Sequence, residues 1–138
     1  MIVGTGVDVI EIARIERVLA ERGERFERRV FTPQEIETCR GMGRPAPHFA
    51  IRFAIKEAAM KAVGTGWAHG VRWLDIETLG SSGGVDGSQS GPLSVALCGR
   101  AGEVAAELAG RPAFRVHLAA SRNRTHALAF VVLEVVEP

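Results

Sequence analysis

Four charged side chains on one otherwise apolar stretch offer the first chemistry in this sequence. Arg52, Lys56, Glu57 and Lys61 are the only formal charges between His48 and Val63, and an unpaired charge on a buried helix is expensive. At about 100° per residue, Arg52 and Lys56 share one stripe, while Glu57 and Lys61 share another well round the helix. One reading is a carboxylate for a hard metal, flanked by cations for phosphate oxygens. The other is a pair of solvated stripes, with Glu57 and Lys61 as an i, i+4 ion pair. Asp8 closes an apolar strand and is open to two readings as well. It can join Glu57 across a strand–helix contact, because magnesium takes one or two carboxylates together with waters and phosphate oxygens. Alternatively, Asp8-Val9-Ile10-Glu11 is a capping box for the following helix.

Arg14, Arg17, Arg22 and Arg25 fall on one broad face of the first helical segment, with Val18 among them. They form either a solvated face laced with Glu16, Glu21 and Glu24, or a docking surface for an acidic partner helix. Other motifs carry less. Gly4-Thr5-Gly6-Val7-Asp8-Val9 begins like a dinucleotide fingerprint, but Val9 stands where the third glycine belongs. Gly64-Thr65-Gly66 allows close backbone approach to a ligand, and a helix cap followed by a turn explains it equally well. Cys39 and Cys98 are isolated, and the four histidines are scattered as packed or surface residues.

The elements that must hold these groups follow from hydrophobic period. Residues 2–10 are rich in Val and Ile and predict a strand. Ile12, Ile15, Val18 and Leu19 then recur at helical spacing to about Glu21. Thr32-Pro33-Gln34-Glu35 announces a second helix through a capping box with proline in the first turn, ending near Gly41. A Gly/Pro-rich linker runs to Pro47, and residues 48–63 form a long helix, apolar nearly all round and therefore central and buried. Strands are expected over 71–79, 93–97, 114–120 and 128–136, with a helix over 101–109 and a polar turn at Arg122–Thr125. The Gly/Ser-rich segment 80–91 behaves as a flexible connection. Strands and helices do not alternate strictly, so the expected class is α+β with a mostly antiparallel sheet packed on the long central helix.

The 138 residues suit one domain spanning 1–138, large enough for a core without disulfides or structural metal. Seventeen basic residues against sixteen acidic ones leave a net charge of +1, so no global field points to nucleic acid or a membrane surface. No apolar run approaches bilayer length. A cytoplasmic chain with reduced thiols is the expectation.

On Gly6–Ile12 with Arg14-Ile15-Glu16, Phe31–Glu35, and above all Arg52–Ala62 continued by Gly64-Thr65-Gly66, the whole chain resembles the holo-acyl-carrier-protein synthases, the small bacterial 4′-phosphopantetheinyl transferases. The later strands, including His117 and Glu134, match more loosely. The resemblance implies the 4′-phosphopantetheinyl transferase-like fold. It implies a magnesium-dependent enzyme that moves the phosphopantetheine arm of coenzyme A onto a serine of an acyl carrier protein, and a homotrimer with coenzyme A between subunits. It puts the magnesium carboxylates on Asp8 and Glu57 and a catalytic lysine beside the pyrophosphate on Lys61. Cofactor-binding positions fall on Arg44, Arg52, Lys56, Lys61 and Gly66, and the carrier-binding surface carries Arg14. Two features depart from the pattern. Ser121-Arg122 stands where many members have Ser-His or Thr-His, and the 80–91 segment is longer than usual. Two rivals remain: a paralogue that binds coenzyme A or carrier without transfer, and an adaptor using the arginine face.

Overall fold

Gly4 and Gly6 set the architecture, because the first strand lies directly against the backbone of the central helix. A Cβ at Gly4 would stand 2.0 Å from the Ala62 carbonyl oxygen, and one at Gly6 would stand 1.9 Å from that of Ala58. Only glycine permits such an approach. The computed structural model describes residues 1–64, 69–80, 92–111 and 113–137.

The element order is β1 (Ile2–Glu11), α1 (Ile12–Arg22), α2 (Glu24–Val30), α3 (Pro33–Arg40), α4 (Pro45–Val63), a 3-10 turn (Trp73–Asp75), β2 (Ile76–Leu79), β3 (Ser94–Leu97), α5 (Gly99–Ala109), β4 (Phe114–Arg122) and β5 (His126–Val135). Among the described residues these strands form two antiparallel sheets: β1-β5-β4, with β5 in the centre, and β2-β3. The expected α+β class with an antiparallel sheet on a long helix is the architecture found. Alternate residues of β5 (Ala127, Ala129, Val131, Leu133 and Val135) are buried, as the two-residue period of a strand requires. They meet the alanines of α4, where Ala50, Ala54, Ala58, Ala59 and Ala62 are all buried. Small residues on both sides bring sheet and helix close.

The opposite sheet face is apolar and exposed. Val7 pairs across to Phe130, and Val9 to Leu128. These four are 52, 43, 56 and 43 % exposed respectively.

Several expected boundaries shift for physical reasons. β1 continues through Glu11, and Glu11 caps α1 with no side-chain hydrogen bond, so the Asp8–Glu11 capping box does not form. Gly23 at φ 50° ends α1, and α2 begins at Glu24. Arg25 therefore sits on α2 and not on the first helix. The Thr32–Glu35 capping box is present, with Thr32 N–H donating to Glu35 at 2.8 Å and Glu35 N–H donating to Thr32 Oγ1 at 3.3 Å. The central helix starts three residues earlier than expected, because Pro45 and Pro47 are tolerated in its first turn. The expected strand over 71–79 is shortened at its start. Asp75 accepts from the Arg72 backbone N–H at 2.9 Å and turns that stretch into a 3-10 turn. Residues 81–91 of the Gly/Ser-rich connection, and Gly66, lie outside the described residues.

Candidate active site

From Gly4 onward the even-numbered residues of β1 face α4, which carries Asp8 to the helix beside Gly4 and Gly6. The Lys61 ammonium donates to Asp8 Oδ1 and to the Val7 carbonyl, each at 3.0 Å. The carboxylate of Asp8 is mostly buried, with 14 % of its side chain exposed, whereas Lys61 is about half exposed at 53 %. Lys61 thus bridges helix to strand instead of serving only as the i, i+4 partner of Glu57.

Glu57 is half-buried on the neighbouring face of α4. Burial first, then the negative charge of Asp8, push its carboxyl above the usual carboxylate range, while Lys61 and Arg14 pull it back. A carboxyl whose proton affinity is raised by a neighbouring carboxylate belongs to a site that a cation would relieve. The other Asp8 oxygen, Oδ2, is buried with no hydrogen-bond partner among the described residues. A buried polar atom left unsatisfied is costly. Two carboxylates with one orphaned oxygen fit a hard cation that keeps several waters, as magnesium does. Among the described residues no group of three or more His, Cys, Asp or Glu is placed to hold a metal, so a closed transition-metal cage is not what these residues build.

Arg52 and Lys56, expected on a solvated or cofactor-facing stripe, are buried at 2 and 0 % exposure. Lys56 Nζ is 2.7 Å from Glu35 Oε1 and donates to the carbonyls of Ile76 at 2.5 Å and Trp73 at 3.1 Å. All three of its N–H groups are spent inside the chain, so its ammonium ties α4 to α3 and β2. Burial lowers the Lys56 pKa, and Glu35 opposes the shift. Arg52 donates to the Gly80 carbonyl at 2.6 Å, and its Nε has no partner among the described residues. Arg44 stays at the surface as the N-cap of α4, 2.5 Å from Glu16.

Arg14, Arg17, Arg22 and Arg25 are all exposed. Arg22 and Arg25 line one cavity of about 550 Å³ with Glu21, Phe26 and Arg29, so the break at Gly23 keeps the two arginines together across two helices. Arg29 was not expected there. Its signal was the run Arg25-Phe26-Glu27-Arg28-Arg29, where one aromatic sits among cations. Glu35 does more than cap α3. It also accepts from the Thr78 backbone N–H at 3.0 Å and from the Thr78 hydroxyl, and its burial on an acidic helix start gave little warning. Cys39 is buried, its thiol pushed up to about 12 chiefly by desolvation, and Cys98 is exposed. Among the described residues no helix is long and apolar enough to cross a membrane.

An α+β chain that sets two carboxylates and a lysine across a strand–helix contact has clear counterparts. Residues 4–106 match the 4′-phosphopantetheinyl transferase superfamily. The chain belongs to that superfamily, a family of transferases. It is 42 % identical over 134 residues to the holo-[acyl-carrier-protein] synthase of Koribacter versatilis, covering 97 % of this chain and 99 % of that protein. It is 44 % identical over 141 residues to the protein of the same name from Anaeromyxobacter sp., covering both chains fully. Among solved structures, the holo-(acyl-carrier-protein) synthase from Bacillus anthracis in complex with CoA (3′,5′-ADP) superimposes with a TM-score of 0.74 at 33 % identity, covering 99 % of each chain. The Neisseria meningitidis enzyme gives 0.78 at 34 %, covering 97 % of this chain and 99 % of that one.

Proposed function

We propose that this chain is a cytoplasmic holo-[acyl-carrier-protein] synthase, residues 1–138 acting as one transferase domain. It transfers 4′-phosphopantetheine from coenzyme A to a serine of an apo acyl carrier protein and releases adenosine 3′,5′-bisphosphate. The observation that carries this is the Asp8–Lys61 contact beside Glu57, with Asp8 Oδ2 left over.

In the reaction, the serine oxygen forms a bond to the β-phosphorus as the bond from that phosphorus to the bisphosphate oxygen breaks, and the serine proton passes to water. Asp8 and Glu57 would hold magnesium, which supplies charge neutralisation on the pyrophosphate when bound. Lys61 spends two N–H groups on Asp8 and Val7, so a third is free to meet the oxygen on which charge develops. Lys56 and Arg52 hold α4, and with it Glu57 and Lys61, in place. Gly66 and Arg44 complete the cofactor-binding stretch. Arg14, Arg17, Arg22 and Arg25 present positive charge to the acidic carrier, which raises association rate and specificity more than affinity.

The exposed face of Val7, Val9, Leu128 and Phe130 is where copies of the chain meet as a homotrimer, because soluble monomers rarely leave a contiguous apolar patch uncovered. Asp8 lies on the same strand as Val7 and Val9, so this contact brings a neighbour beside the site.

Mass spectrometry of an apo carrier incubated with the protein, coenzyme A and magnesium tests the reading. A gain of one phosphopantetheine is expected, and Asp8→Ala or Glu57→Ala should cut turnover roughly 10²–10³-fold, the several kcal/mol a bound cation supplies. No mass gain with the unaltered protein overturns it.

A further inference from the structure

The outer face of the three-stranded sheet ends in a titratable pair. By register, Val7 and Val9 on β1, Leu128, Phe130 and Val132 on β5, and Ala119 on β4 share that face. Beyond Phe130, His117 of β4 stands opposite Val132, and Glu134 follows two residues further along β5, a step of about 7 Å. His117 Nε2 lies 2.7 Å from Glu134 Oε2, with the two side chains 54 and 39 % exposed. Arg115 is the register partner of Glu134. The border of the apolar face therefore carries one carboxylate between a fixed cation and a side chain whose type titrates near neutrality.

The charges at this border decide which protonation state a covering surface favours. The His117 hydrogen bond, helped by the amino terminus and Arg115, holds the Glu134 carboxyl below the usual carboxylate range, so Glu134 stays ionised around neutrality. Arg115 already balances that charge. A proton on His117 is then excess positive charge beside a second cation, and removal from water disfavours the charged form of such a group. A neutral imidazole keeps an N–H for Glu134 and is covered at lower cost. The charged groups around His117 are Glu134 from β5, Arg115 from its own strand, and the Met1 amine, which donates to the Val135 carbonyl at 3.2 Å. β3, packed beside β4, carries no titratable side chain, and α4 lies on the opposite face of the sheet.

We propose that, on the homotrimer reading above, copies meet through this face with His117 neutral, so that assembly releases its proton and acid separates the copies. A second copy suits the face because it brings the same apolar middle and a border with charges of both signs. The chain's own stretch 81–91, the longest outside the described residues, has Val85 as its single apolar side chain, too little to shield Val7, Val9, Leu128 and Phe130. The free copy binds the His117 proton more readily than the assembled one. Assembly therefore strengthens as pH rises through the histidine range and weakens as pH falls. Because Asp8 shares β1 with Val7 and Val9, separation also takes the neighbour away from the site.

Sedimentation velocity of the full chain at a series of protein concentrations, between about pH 5.5 and 8, tests this. The concentration at half-assembly should be at least about tenfold higher near pH 5.5 than near pH 7.5. Far-ultraviolet circular dichroism should stay unchanged over that range, which separates dissociation from unfolding. His117→Gln keeps a hydrogen-bond donor but takes no proton, and should assemble alike at both pH values, within about twofold. Glu134→Gln removes the group that favours the His117 proton and should move the acid separation to lower pH, whereas a merely structural pair would leave that midpoint in place. Equal assembly of the parent at both pH values, or a pH response that survives His117→Gln, overturns the proposal. A parent that stays single at every pH and concentration overturns it together with the homotrimer reading, while the carrier assay judges the transferase reading separately.

Discussion

The Lys61 ammonium reaches from α4 to stand 3.0 Å from Asp8 Oδ1 on β1, fifty-three residues away in the chain. The cation at the site is thereby placed by tertiary contact and not by its own helix. Lys61→Met should remove both the charge proposed to face the pyrophosphate and the partner of Asp8. Turnover in the carrier assay is expected to drop about 10²-fold, within the range for loss of one preorganised electrostatic group. Lys61→Arg should recover only part of it, because a planar guanidinium does not reproduce the geometry of an ammonium.

Gly6→Ala would put a methyl group 1.9 Å from the Ala58 carbonyl oxygen, so β1 must move off α4. Overpacking of this kind costs about 1–3 kcal/mol or more, and here it also displaces Asp8. A lower melting temperature together with weaker transfer is expected. Gly43→Ala has nothing within 4 Å and should melt within about 0.5 kcal/mol of the parent. Paired thermal melts and turnover rates check both.

Glu35 joins three elements, capping α3, pairing with Lys56 on α4 and accepting from Thr78 on β2. Glu35→Ala leaves the Lys56 ammonium buried without its counter-charge, a change that typically costs about 3–5 kcal/mol. Urea denaturation should show a midpoint shift of that order with little change in slope. Lys56→Met should be milder, since Glu35 keeps its bonds to Thr32 and Thr78.

His48 has a folded-state pKa below its ordinary 6.5, chiefly through burial and then through Arg122 and Arg52. The unfolded chain therefore binds the proton more readily than the folded one. Stability is full above about pH 6.5 and is lost progressively as pH falls through the lowered value. His48→Gln should flatten the acid limb of the melting temperature as pH falls below about 6.5. An unchanged acid limb in that variant would show that other groups carry the loss.

Much of this fold was readable because local chemistry and tertiary structure agree. The Thr32–Glu35 box, the apolar circumference of α4 and the alternation of β5 each state their role within a few residues. Asp8, Glu57 and Lys61 stood out as charges where apolar residues were the rule. α2 was missed because its seven residues carry little period of their own, and it is held by the buried Glu27 pairing with Arg40 from α3. The fate of Arg52 and Lys56 was hidden for a similar reason. Their acceptors, the carbonyls of Gly80 and Ile76, lie 28 and 20 residues downstream, beyond the reach of any helical spacing. Charge on an apolar helix announces a partner without saying whether that partner is a ligand or the protein's own backbone.

Because Gly4 and Gly6 rest on the Ala62 and Ala58 carbonyls with no side chain between, the width of the gap that Asp8 faces is a property of two main chains. Repacking elsewhere in the core has no shim to adjust there. A family member wanting a wider gap must relocate a whole strand, and one wanting a narrower gap has already run out of atoms to delete.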